Sequence, residues 1–129
     1  AVINPDARGN NFKTETMGRL IRFVSSHELG HTLGLPHNMG SSFAYPVDSL
    51  RSASFTSKYG TAPSIMDYAR FNYIAQPEDK GVALMPDIGV YDKYAIAWGY
   101  RPILDTNAKD EKATLDTWIL KHAGDPMYR

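Results

Sequence analysis

The sequence contains no cysteine. No disulfide framework holds it, and secretion that depends on disulfides is excluded. No apolar run reaches the roughly 18 residues that suggest a membrane-spanning helix, and nothing resembles a signal peptide. An excess of either charge is lacking too, since 14 Lys and Arg balance 14 Asp and Glu. Nothing therefore favours nucleic acid or an acidic membrane surface as a partner. There is no internal repeat and no linker-like stretch. What remains is ordinary globular composition, 43% hydrophobic and 22% charged, in a length that suffices for one domain with its own core.

One stretch stands out against that background. His27-Glu28-Leu29-Gly30-His31-Thr32-Leu33-Gly34-Leu35-Pro36-His37 fits H-E-x-x-H-x-x-G-x-x-H, a zinc site plus a general base. Four residues on a helix turn about 400° and rise about 6 Å. His27 and His31 therefore project from one face, and their imidazoles reach one ion at about 2.0–2.1 Å. Glu28 borders the same face and is placed to hold a water rather than the metal. The helix must then stop, because a third ligand has to come from another direction. Gly34 takes a positive φ at little cost. Pro36 disfavours helix at Leu35 and has no N–H for the ladder. The chain can then turn back and bring His37 to the metal.

Three imidazoles with an open fourth position form a catalytic zinc site; a structural site is closed by a fourth protein ligand, and no cysteine is present to close this one. Zinc lowers the pKa of a bound water from about 15.7 toward 7 and polarises a carbonyl. Glu28 takes that water's proton and passes it to the leaving amine. The reading is hydrolysis of a protein or peptide substrate without a covalent intermediate. A bare H-x-x-x-H is ordinarily two histidines on a polar helix face. Gly34 and His37 in register set this stretch apart. Other divalent ions also fit three imidazoles.

The full motif resembles the metzincin clan of zinc metallopeptidases, and the chain looks most like the bacterial Met-zincin-type metalloproteases of large, exported, multi-domain proteins. The resemblance implies a Met-turn, which Ser64-Ile65-Met66-Asp67-Tyr68 looks like. Met66 would form a hydrophobic floor under the imidazoles, a role that suits a flexible, polarizable side chain; alone it would read as a core methionine. Tyr68 resembles the tyrosine of the astacin-like and serralysin-like branches, which can ligate zinc at rest and swing to stabilise the oxyanion. The plain alternative is a buried tyrosine with a backbone partner. Asn38 and Asp67 stand where matrixins usually have Ser and Pro. In Tyr91–Tyr100, Asp92, Ala95 and Ile96 match a metzincin closing helix, while Val90, Tyr94, Ala97 and Trp98 read as core packing. Arg70, Phe71 and Tyr73 are candidates for the wall of the pocket beyond the scissile bond, with ordinary loop packing as the equal alternative.

The implied fold is mainly α: the C-terminal part of a metzincin-like catalytic domain, with zinc helix, Met-turn and C-terminal helices. Few residues precede His27, so most of the N-terminal sheet is expected to be absent. The chain opens Ala1-Val2-Ile3-Asn4-Pro5 and reads as an excised piece, residues 1–129 forming one catalytic subdomain of a larger protein. The resemblance implies a periplasmic, cell-surface or secreted location. Three functional readings stay open: an active zinc endopeptidase, a module that holds zinc without cleaving, and an interaction domain.

Along the chain, residues 1–13 read as a loose arm. A helix is expected from Thr14 to Leu33, with Met17, Ile21, Val24, Glu28 and His31 on its working face. Residues 38–46 read as a Gly/Ser loop, Val47–Lys58 as a short helix, and 71–81 as irregular. A last helix is expected from Ala108 to His122, with Leu115, Trp118, Ile119 and His122 on one face and the charges from Lys109 to Lys112 in a solvated first turn. His122 reads as a packed or capping residue outside the site, and Trp98 and Trp118 as core anchors.

Overall fold

The computed structural model describes residues 9–104 and 106–129; most of the expected N-terminal arm lies outside them. The described residues form helix α1 (Thr14–Thr32), two 3₁₀ turns (Ser41–Ala44 and Val47–Arg51), α2 (Ala53–Tyr59), α3 (Val90–Tyr100), α4 (Glu111–His122) and a last 3₁₀ turn (Pro126–Tyr128). No strand occurs among them. The mainly helical expectation holds, and no described helix is long and apolar enough to cross a membrane.

The core is not a helix face but a loop. Residues 61–67, from Thr61 to Asp67, are all buried, and Met66 is 0% exposed. A buried irregular segment must satisfy its backbone polar groups away from water, and this one does so through three other parts of the chain. The Tyr91 N–H donates to the Pro63 carbonyl at 2.9 Å and the Asn38 N–H to the Met66 carbonyl at 3.0 Å. Asp92 accepts from the Ile65 N–H at 2.8 Å, and His27 Nδ1 reaches the Ile65 carbonyl at 2.8 Å. Helix α1, the loop after His37 and helix α3 are thus docked on one turn.

Two helix boundaries differ from expectation, each for a local reason. The segment from Val47 divides at Ser52, whose extended backbone (φ −93°, ψ 120°) ends the 3₁₀ turn while its hydroxyl accepts from the Phe55 N–H and caps α2. Helix α4 starts at Glu111 rather than Ala108 because Asn107 builds a turn first. Its side chain accepts from the Lys109 N–H at 3.0 Å, and its carbonyl accepts from Asp110 and Glu111. Around α2, buried Tyr45 donates its phenol to the Tyr59 carbonyl, and burial, ahead of nearby Tyr59, pushes its pKa up to about 12. Arg51 clamps Asp79 and Glu78 across the irregular stretch.

Candidate metal centre

Helix α1 packs through a different face from the expected one. Thr16, His27 and Gly30 are its buried residues, with Leu20 and Phe23 partly covered. Met17, Ile21 and Val24 are 40%, 58% and 52% exposed. At about 100° per residue, the buried stripe lies about a quarter turn or more from that apolar one. The reason is the Met-turn: the His27–Ile65 hydrogen bond and the seat of Met66 against Gly30 fix the helix's rotation, whatever its apolar residues would prefer. A Cβ at Gly30 would fall 2.4 Å from the Met66 sulfur, so the glycine between the two helix histidines is what lets Met66 pack against the helix there.

The end of α1 then turns the chain back as the motif requires. Gly34 takes φ +86°. The Leu35 N–H donates to the Gly30 carbonyl and the Gly34 N–H to the His31 carbonyl, both at 3.0 Å. These are the two bonds of a Schellman stop. The loop that follows is held by the Met-turn's own residues. Asp67 accepts from the Ser41 hydroxyl at 3.1 Å and the Ser42 N–H at 2.8 Å.

His27, His31 and His37 come together, with ligating nitrogens all within 4.8 Å of one another. His27 is buried, His31 half-buried and His37 exposed. Each helix histidine commits Nδ1 to a backbone carbonyl, His27 to Ile65 and His31 to Leu35 at 2.9 Å. A carbonyl only accepts, so Nδ1 carries the proton and Nε2 presents a lone pair. His31 Nε2 lies 3.2 Å from His37 Nε2. Two nitrogens bound tetrahedrally at about 2.05 Å would be about 3.3 Å apart. The donor set, the tautomers and this spacing fit a metal ion.

Glu28 is exposed and shares a cavity of about 190 Å³ with Phe23, Val24, His27, Tyr68 and Arg70. Tyr68 is 49% exposed, not buried. Its ring stacks on His27 at 5.5 Å and meets His37 edge-on at 4.7 Å, while the Arg70 guanidinium lies 5.6 Å from its centroid. A second cavity of about 140 Å³ adjoins, sharing Phe23, Val24 and Arg70 and adding Phe71, Met85 and Pro86. Arg70 lines both cavities and Phe71 the second, whereas Tyr73 is 65% exposed and lines neither. Phe23, Met85 and Pro86 carry no motif and were not legible beforehand.

Asp92 is the other residue whose part only the structure reveals. It is 4% exposed and accepts from the Ser64 hydroxyl at 2.6 Å, the Ile65 N–H and the Gly89 N–H at 2.7 Å. It holds the peptide unit next to the Ile65 carbonyl on which His27 rests. His122 lies away from the cluster, stacked on Tyr128 at 3.9 Å. Trp98 is 41% exposed, so it is no core anchor; with Val90, Tyr94 and Ala97 it lines a groove between α3 and α4.

No curated protein and no solved structure matches this chain. A family model described as Met-zincin matches residues 9–129. With nearly the whole chain inside that match and its histidines gathered as a metal site requires, the protein belongs to the Met-zincin family.

Proposed function

We propose that this chain carries the site of a zinc-dependent endopeptidase, with His27, His31 and His37 as ligands and Glu28 as general base. One observation carries the reading: two imidazoles with oriented lone pairs converge with a third beside an open cavity that Glu28 and Tyr68 also line. When bound, zinc supplies an acidified water and polarises the substrate carbonyl. Glu28 accepts the water's proton and returns it to the leaving nitrogen. Tyr68 donates its phenol to the carbonyl oxygen as that oxygen gains charge. The adjoining apolar cavity takes the side chain that follows the cut.

The test is cleavage of a diverse peptide mixture by the zinc-loaded chain, with Glu28→Ala as the blank. Loss of the general base should lower kcat/KM by about 10²–10⁴. Undiminished cleavage by the variant would sink the assignment. A second reading, a module that holds zinc without cleaving, is favoured by one feature: no strand borders the site among the described residues. Substrate alignment is worth about 7–11 kcal/mol of a barrier. No cleavage from a sample holding one zinc per chain would select that reading.

A further inference from the structure

A groove of about 400 Å³ opens between α3 and α4, and none of the three clustered histidines lines it. Its permanently charged lining side chains are all cations, Lys93 from α3, Arg101 at the end of α3 and Lys121 from α4, and no carboxylate lines it among the described residues. None of the three is ion-paired with a described residue. Surfaces ordinarily intersperse the two signs, and this chain has equal numbers of each. The cations flank an aromatic floor of Tyr94, Trp98 and Trp118, with the Arg101 guanidinium 5.4 Å from the Trp118 ring centroid.

The spacing narrows what fits. Lys93 lies in the first turn of α3 and Arg101 caps its C-terminus, eight residues on and about 12 Å along the axis. One phosphate or carboxylate does not span that, and a nucleotide gathers its charge at one end. An extended peptide advances about 3.3 Å per residue. Acidic residues four apart lie on one face of the strand and would meet both ends, with the side chain midway between them, if apolar, on the floor. The volume suits such a segment, being within the range of about 300–1,000 Å³ usual for ligand sites.

We propose that this groove is an exosite for protein substrates, docking an acidic segment with an apolar centre remote from the scissile bond. The proposal rests on the peptidase reading for the identity of the occupant. Holding a remote segment raises the local concentration of the scissile one, which lowers KM and leaves kcat unchanged.

The test needs neither metal nor cleavage, so its failure is distinct from failure of the peptidase reading. Both tryptophans of the chain line the groove, so tryptophan emission, excited beyond the tyrosine absorption band, reports on this place. The protein is titrated with an acetylated, amidated pentapeptide Glu-Ser-Leu-Ser-Glu and with its Gln-Ser-Leu-Ser-Gln counterpart. A saturable change is expected with the acidic peptide and binding at least tenfold weaker with the amide one. Combining Lys93→Glu with Lys121→Glu, both at exposed positions, should weaken acidic-peptide binding by about tenfold with unchanged circular dichroism. Equal response to both peptides, no saturable response, or affinity unmoved by the charge reversal would overturn the proposal. So would a response to a mononucleotide with none to the acidic peptide.

Discussion

Replacing Asp92 with alanine should cost a large share of the stability of this fold and weaken zinc binding, although Asp92 is not one of the three clustered histidines. The carboxylate accepts from two buried backbone N–H groups, Ile65 and Gly89, and from the Ser64 hydroxyl. The hydroxyl can reorient, but Asp92 is the acceptor for both N–H groups. At about 1–3 kcal/mol for each buried donor left unpaired, Asp92→Ala should cost about 3–5 kcal/mol, against a total of about 5–15 for a domain. Asp92→Asn is a sharper probe. Its oxygen can take the place of Oδ2, which serves both N–H groups, and its NH₂ can face Ser64, which then accepts. The cost should be about 1–2 kcal/mol. In metal-free urea unfolding, with a slope of about 1.5–2 kcal/mol/M, the alanine midpoint should fall by roughly 2 M and the asparagine midpoint by less than about 1 M. Competition with a chromophoric chelator should show zinc affinity about 10–100-fold weaker in the alanine variant, the usual scale for losing an outer partner of a ligand. An alanine midpoint within about 0.3 M of the parent, or an asparagine variant as damaged as the alanine one, would refute the reasoning.

Three further outcomes are expected. Gly30→Ala should destabilise by about 1 kcal/mol because its Cβ meets the Met66 sulfur at 2.4 Å, whereas Gly18→Ala on the same helix, with nothing within 4 Å, should stabilise by about 0.5–1 kcal/mol through helix propensity; urea midpoints of the pair decide this, and a stabilising Gly30→Ala counts against the packing argument. Zinc at 100 times its Kd should add about 2.7 kcal/mol; a chelator should remove that increment, and exposed His37→Ala should abolish it while leaving metal-free stability unchanged, as thermal melts with and without zinc will show. The Tyr45 phenol, raised by burial from the ordinary 10 to about 12, should make the fold fully stable below pH 10 and progressively less stable as pH rises toward 12, because the unfolded chain ionises first; Tyr45→Phe should flatten that alkaline limb, and an unchanged limb would show the phenol is not its source.

The histidine cluster was legible because the motif is local. Helical geometry alone puts His27 and His31 on one face, and Gly34 with Pro36 forces the return that carries His37. Those constraints act within one turn or its immediate exit, so they are written in consecutive residues. Helix α3 and the end of α4 follow likewise from local propensity, whereas the start of α4 moved because one asparagine side chain outbid the helix for its N–H groups.

The rotation of α1 was not legible, and neither was the core. The sequence pattern ranks Met17, Ile21 and Val24 as the face to bury, yet the helix turns His27 and Gly30 inward. The energy that decides this comes from hydrogen bonds and packing against residues 61–67, far along the chain. A periodicity read from one helix cannot contain it. The same holds for Asp92, a charged first-turn residue in sequence that becomes the acceptor at the centre of a buried turn, and for the groove that takes Trp98 out of the core. Which three histidines gather, and in what order along the chain, was determined by the sequence itself. Which face each helix presents, which polar groups meet in the interior and which cations share a surface were decided only by tertiary structure, because those terms depend on pairs that only the completed fold brings within a few ångströms.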